Sequence, residues 1–408
     1  MSRLEKYAKL MIEEGINLKK GQPLFLTGYV ENYEFVRMVT EQAYAAGARE
    51  VYVRWIDEVG ARLKYLHGAE DLFENFPEFM RLMFDHYDEQ NACYLHIAAS
   101  NPEALKGVSP ERLQKWNITA SKATKSHSDR IMSGKLAWCV VAAPSKEWAK
   151  KVFPDLGETE GMERLWDAIL HCSRVSGDDP SAAWRKHTDT LARRAALLNK
   201  AQLTSLRLTN SLGTDLTLTL PKNHVWSGGV DSMTTDGHSF SANIPTEEIF
   251  TAPHRLGTNG RVVASMPLVY QGDLIEDFEL TFKDGKVVGY KAGKNETLLK
   301  NLLETDEGSR YLGEIALVPY DSPISKLGIL FYETLFDENA SCHLALGEAY
   351  PACIEGAAEL DDDKKKALGL NVSFSHSDFM FGTADLEIIG TKPDGTNMQV
   401  FKGGNFVI

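Results

Sequence analysis

The chain has 408 residues, 43% hydrophobic, 25% charged and 10% aromatic. That ordinary globular mixture excludes a fibrous or disordered protein, and the length suits two domains or three. The 57 acidic residues against 44 basic ones leave a formal net charge of −13, so phosphate backbones and anionic membranes are repelled and neither nucleic acid nor a membrane is expected as a partner.

The first half alternates strands and helices. Leu4, Tyr7, Leu10 and Met11 mark an amphipathic helix that stops at Gly15. PLFLTGY (23–29) is an apolar run of strand length, 32–46 reads as a helix closed by Gly47, and REVYVRWID (49–57) is the next strand. A helix near 74–88, a strand at 92–100, a helix from Pro110 to about 125 and a strand at 136–144 continue the series. Two helices follow, near 160–174 and 181–199. Strand–helix–strand repeats of this length predict an α/β domain, a mostly parallel sheet with helices on both faces. We set its boundary at 195, giving domains 1–195 and 196–408.

Beyond residue 200 the texture becomes antiparallel β. TSLRLTNSLGTDLTLTLP (204–221) alternates over two runs separated by Gly213, a hairpin pattern, and Asp-Gly turns stand at 284–285 and 394–395. VVASMPLVYQG (262–272) and DFELTFKDGKVVGYKAG read as strands, with helical insertions near 296–311 and 357–367. The second domain is thus β-rich α+β. The five cysteines include no Cys-x-x-Cys pair, the N-terminal helix has no signal-peptide core, and no 18-residue apolar run occurs, so the expectation is a cytoplasmic protein.

No G-x-G-x-x-G, Walker A, H-E-x-x-H or G-x-S-x-G occurs, which leaves hydride transfer, nucleotide chemistry and serine nucleophiles without a motif. The β-rich half instead carries oxygen and imidazole donors in apolar company. In HSDFMFG, His376 and Asp378 stand at i and i+2, so a strand points both to one face. An isolated H-x-D is also a common hydrogen-bonded pair. In YLGEIALVPY, parity puts Glu314 with Leu312, Ala316 and Val318, and a carboxylate there needs a cation, a proton or a salt bridge to Arg255 or Lys326. Glu248 in PTEEIFTAP, and Asp337, Glu338 and His343 in FYETLFDENASCHLALG, are further donors; solvated surface carboxylates are the alternative for Glu248 and Glu338. Mixed Glu/Asp/His ligation suits Zn²⁺, Co²⁺ or Mn²⁺ better than Ca²⁺. Four carboxylates match two divalent ions better than one, an arrangement that activates a water for hydrolysis.

FDENASCHLALGEAY (336–350), HSDFMFG, PTEEIFTAP, LGEIALVP, the opening EEGINLKKGQPLFLTG and the DEGSRYLGE stretch together resemble the aminopeptidase T/aminopeptidase S family of metallopeptidases along the whole chain. The resemblance implies a cytoplasmic, homodimeric exopeptidase removing N-terminal residues from peptides with two divalent ions (Zn²⁺, Co²⁺, Mn²⁺ or Mg²⁺). It also implies an α/β N-terminal domain and a metal-binding C-terminal one. Carried over residue by residue, Glu248, Glu314, Glu338, His343, His376 and Asp378 match the metal ligands, with Glu314 bridging and relaying a proton. Tyr350 matches a tyrosine that hydrogen-bonds the tetrahedral oxyanion; a core aromatic is its plain alternative. Where family members commonly carry Gly-Glu-Val, this chain has Glu247-Glu248-Ile249. The offset to Ala252-Pro253 selects Glu248; Glu247 is then a solvated side chain or a contact for the substrate amine. His254 and Arg255 are unusual too, as tuners of preference or surface residues. The alternative from another class is a non-catalytic metal- or ligand-binding protein on the same scaffold.

Overall fold

The computed structural model describes residues 1–132, 134–229, 232–233, 237–270 and 273–408. By contact, the chain divides into two compact units: Met1–His187 with Val230–Pro245, and Thr188–Gly229 with Thr246–Ile408.

In the first unit β1 (Pro23–Tyr29), β2 (Glu50–Ile56), β3 (Cys93–Ala98) and β4 (Trp138–Ala142) form a sheet of order β2-β1-β3-β4, parallel throughout. All seven residues of the apolar β1 run are buried, as expected of a strand flanked on both sides and covered on both faces. Helices α1 (Arg3–Leu10) and α2 (Tyr33–Ala45) fall where hydrophobic periodicity places them, as do α4 (Glu78–Glu89), α5 (Pro110–Ala123), α8 (Glu158–Cys172) and α9 (Pro180–Ala201), the last belonging to the second unit from Thr188 onward. Three further helices lie outside the elements expected from the sequence: α3 (Glu58–His67), α6 (Lys125–Met132) and α7 (Lys146–Val152). α3 buries none of its side chains, so its apolar residues face no core; Asp57 starts it by accepting from Gly60 N at 2.9 Å. The returning segment 230–245 joins this unit through its main chain. Val140 N donates to Ala242 O at 2.8 Å, Ile244 N to Val140 O at 3.0 Å, and Ser241 N to Gly15 O at 2.8 Å.

The second unit is antiparallel. Its first strands are β5 (Ser205–Thr209) and β6 (Asp215–Thr219), and the two-residue strands β7 (Ser232–Met233) and β8 (Ser239–Phe240) intervene in the other unit's segment. Then come β9 (Ile249–Thr251), β10 (Thr258–Val263), β11 (Leu268–Tyr270), β12 (Asp273–Ile275), β13 (Glu279–Lys283) and β14 (Lys286–Lys291). β15 (Leu312–Leu317), β16 (His343–Gly347), β17 (His376–Met380), β18 (Glu387–Thr391), β19 (Asn397–Lys402) and β20 (Asn405–Phe406) complete the series. Eight strands form one sheet, β14-β13-β10-β6-β5-β18-β19-β20, and four form another, β17-β16-β15-β9. The hairpin at 204–221 is present, pairing Leu206 with Leu218 and Leu208 with Leu216. Asp284 and Gly285 both take left-handed φ in the turn joining β13 to β14, as a two-residue hairpin requires. The strand expected over 262–272 appears in part, as β10 and β11; its last two positions, Gln271 and Gly272, lie outside the described residues.

Helices α10 (Glu296–Leu303), α11 (Pro323–Leu327), α12 (Thr334–Asp337) and α13 (Asp362–Leu368) fill the connections. One core joins both sheets: Leu206, Leu208, Leu216 and Leu218 share it with Ile249, Ile315, Leu317, Leu344, Leu346 and Phe379. Each such side chain contributes about 1.5–3 kcal/mol. The small sheet therefore spends one face on the core and has the other for chemistry.

Candidate metal centre

Strand register decides which side chains meet on that second face. Glu314 pairs with Ala345, and Ala345 with Asp378, so two carboxylates flank one alanine across three adjacent strands. His343 lies two residues before Ala345 and pairs with Ala316, which pairs in turn with Phe250. His376 precedes Asp378 by two and pairs with Gly347. Glu248, just before β9, stands at the same parity as Phe250. Small residues between the donors (Ala316, Ala345, Gly347) leave the space in front of the sheet to the longer side chains.

One expected neighbour is absent from this face. A register shift lies between Leu312 and Glu314, and Leu312 belongs to the core with Ile315. The bulge turns it opposite to Glu314. Gly313 is at the irregularity because a Cβ there would stand 2.2 Å from Glu348 O.

Ligand atoms of Glu248, Glu314 and His343 lie within 4.8 Å of one another, and so do those of Glu314, His376 and Asp378. Glu314 is common to both groups. His343 Nε2 is 3.2 Å from Glu248 Oε2 and 3.7 Å from Glu314 Oε1. His376 Nε2 is 3.2 Å from Asp378 Oδ1 and 3.5 Å from Glu314 Oε2. Glu338 falls in neither group, but it is close enough for Glu248 and Asp378 to act on its charge. The Tyr350 ring packs at a tilt against His376, with centroids 5.3 Å apart, and against Phe250 at 5.7 Å.

The alternatives raised by the sequence can be compared with this geometry. Glu248 is buried and Glu338 partly buried, so neither is a freely solvated carboxylate. The cations that might have paired with Glu314 are engaged elsewhere: Arg255 with Glu307 at 2.8 Å, and Lys326 with Asp321 at 3.0 Å. Glu247 is buried, not solvated. Its N–H donates to Asn339 Oδ1 at 2.8 Å, and Glu247 belongs to neither donor group. Arg255 is no loose surface residue; its guanidinium lies 4.3 Å from the Tyr311 ring and donates to Asn371 Oδ1 at 3.1 Å.

The donor set fits a divalent ion. Each imidazole gives its Nδ1 proton to a main-chain carbonyl, His343 to Ser341 O at 3.1 Å and His376 to Glu348 O at 2.8 Å. This fixes the tautomer that turns an Nε2 lone pair toward the carboxylates, the second-shell pattern of metal-ligating histidines. Glu248 Oε2 and Asp378 Oδ1 are buried atoms without a hydrogen-bond partner. Lone pairs aimed at anions in an apolar wall need positive charge between them.

Protonation supplies that charge when no ion does. Burial pushes Glu314 up, with Asp378 and Glu248 adding to the rise, and it pushes Glu338 far up with the help of Glu248 and Asp378. For His343, burial opposes the charged ring, yet the facing Glu248 and Glu314 carboxylates prevail and hold it well above the usual imidazole range. His376 is raised to about 9 against the same opposition, chiefly through Asp378. Burial and the surrounding carboxylates push the Tyr350 hydroxyl up as well, so it stays a donor.

Sequence reasoning missed Asn339, which is wholly buried and also donates to Leu335 O at 3.1 Å and Glu338 Oε1 at 3.4 Å. It ties Glu247-Glu248 to Glu338; its place beside Glu338 in the FDEN string is the signal that pointed to it.

The thermophilic metalloprotease (M29) family model matches residues 1–406. Aminopeptidase 2 of Geobacillus stearothermophilus is 43% identical over 403 residues, 99% of this chain and 97% of that protein. Aminopeptidase T of Thermus aquaticus is 38% identical over 405 residues, 99% of this chain and 98% of that one. The solved structure of wild-type AmpT from Thermus thermophilus superposes with a TM-score of 0.93 at 37% identity, covering 100% of this chain and 99% of that chain. A full-length family match, relatives aligned end to end and a buried carboxylate–histidine cluster agree: the chain belongs to the thermophilic metalloprotease (M29) family, the aminopeptidase T/aminopeptidase S family that its sequence resembles.

Proposed function

We propose that this metalloprotease is an aminopeptidase that hydrolyses N-terminal residues from peptides with two divalent ions per chain, Zn²⁺, Co²⁺, Mn²⁺ or Mg²⁺. The observation that carries the reading is the pair of histidines with Nδ1 committed to main-chain carbonyls, each Nε2 facing carboxylates, with Glu314 shared by both groups. Glu248 and His343 would hold one ion and His376 and Asp378 the other, with Glu314 available to both and Glu338 completing the donor set. Bound ions would supply a water of lowered pKa and a Lewis-acid hold on the scissile carbonyl.

The remaining work falls to the chain's own groups. Glu314, common to both donor groups, takes the proton from the attacking water and passes it to the leaving amine. Tyr350, protonated, donates to the oxyanion. Ser341 O and Glu348 O keep the imidazoles aimed. We assign catalysis to residues 196–408 and a supporting role to the α/β domain, 1–195. We further propose that the protein is a cytoplasmic homodimer. The family resemblance supports this, as does α3, where Val59, Leu63 and Leu66 lie exposed at i, i+4 and i+7. No helix among the described residues is long and apolar enough to cross a membrane.

The test is to strip the metal and assay leucyl amides and short peptides with each ion added back. Stepwise release of N-terminal residues, restored by metal and blocked by N-acetylation, is the expected result. Tight binding of two ions without release from any substrate would transfer the site to a non-catalytic binding protein.

A further inference from the structure

The donor side chains differ in how far they reach solvent. Relative exposure is 1% for His343, 6% for Glu314, 12% for Glu248, 13% for Asp378 and 24% for His376. The centre is closed behind His343 and opens past His376. An aminopeptidase holds the free end of its substrate, so the portion beyond the scissile bond must leave through the open side.

Two residues before His376, and so within about 7 Å of it along the chain, stands Phe374, 95% exposed. A single exposed apolar side chain is ordinary. The anchoring of its backbone is not. Phe374 N donates to Asp306 Oδ2 at 2.6 Å, and Ser373 Oγ to Asp306 Oδ1 at 2.8 Å. Ser373 N donates to the Glu348 carboxylate, Ser375 N to Ser373 Oγ at 3.2 Å, and Glu348 N to Ser375 O at 2.7 Å. Upstream, the wholly buried Asn371 donates to Gly308 O at 2.8 Å and Gly347 O at 2.6 Å. A slack loop would let the ring fold onto the surface and cover itself. Here the main chain is tied on both sides of Phe374, so the ring stands in water at the rim of the centre. Glu348 links the two ends of the arrangement: its carboxylate holds Ser373 while its carbonyl orients His376.

We propose that Phe374 is a specificity-determining residue, whose ring packs on the side chain of the substrate's second residue and favours an apolar or aromatic one there. This rests on the aminopeptidase reading above. The ring is preorganised, so contact costs little ordering of the protein. Loss of one apolar contact of this kind is worth about tenfold in selectivity.

The experiment compares leucyl-phenylalaninamide with leucyl-glycinamide on the full-length, metal-loaded protein and on Phe374→Ala and Phe374→Leu. Metal content and sedimentation are measured for each. The expected result is that Phe374→Ala lowers the kcat/KM ratio of the first peptide to the second about tenfold, mainly through KM, with Phe374→Leu in between and metal content unchanged. Equal effects on both peptides would overturn the assignment, as would an unchanged ratio accompanied by a fall in sedimenting mass, which would make Phe374 a contact between copies of the chain. If the unaltered protein releases no N-terminal residue with any ion, the aminopeptidase reading fails and this inference fails with it; release with an unaltered ratio removes this inference alone.

Discussion

Glu314 is the one carboxylate common to both donor groups, so its removal should differ in kind from removal of an outer ligand. Glu314→Gln is expected to abolish peptidase activity and to weaken both ions together, whereas Glu248→Gln weakens chiefly one; metal titration by calorimetry separates the two patterns. Tyr350→Phe should leave metal content intact and lower kcat by about 10²–10³-fold, the usual cost of one oxyanion donor. A third residue-scale prediction concerns His96 in β3. Burial, assisted by the Arg54 cation, lowers its pKa to about 4, against about 6.5 for an unfolded histidine. The unfolded state therefore binds the proton first, and stability present above about pH 6.5 drains away as pH falls toward 4, by at most about 3 kcal/mol. His96→Asn should flatten that part of the pH–stability curve; an unchanged slope between pH 6.5 and 4 would exclude His96 as its source. These residue-scale features were unequally legible. The i, i+2 spacing of His376 and Asp378 is visible in the sequence because strand parity is local. The carbonyls of Ser341 and Glu348 that orient both imidazoles are not, since every residue has a carbonyl and only the fold aims one.

At the scale of elements, the same contrast holds. Alternating leucines announce the 204–221 hairpin, and Asp284-Gly285 announces the turn between β13 and β14, because both patterns are short-range. The bulge at Gly313 was illegible: parity run straight through it puts Leu312 beside Glu314, and one extra residue reverses the face. α3 was illegible for a different reason: its apolar residues Val59, Leu63 and Leu66 stay exposed, so they mark no core-facing side. Gly347, the last residue of β16, offers a test of how tightly the small sheet is built. It holds φ at +110°, and a Cβ there would stand 1.9 Å from Ser375 O, on the segment leading into His376. Gly347→Ala is expected to cost at least 1–3 kcal/mol and to lower metal affinity, read by thermal unfolding with and without added ion. Unaltered stability would mean that β16 and β17 adjust more freely than their packing implies.

For the whole molecule, composition bounded the answer and topology completed it. The net charge of −13 and the missing nucleotide motifs narrowed the field, and the change from alternating α/β to antiparallel β showed two architectures in one chain. No local pattern marks residues 230–245 as part of the first unit, because what places them there is pairing with Val140 and Gly15, far off in the sequence. That return has a consequence for synthesis. A ribosome delivers the chain in order, so β4 emerges about a hundred residues before the segment that lines its edge. Until residue 245 is out, the nascent first unit keeps an open strand, and by then the first hairpin of the second unit has already appeared. The two halves of this protein cannot be born one after the other; the earlier waits for part of the later.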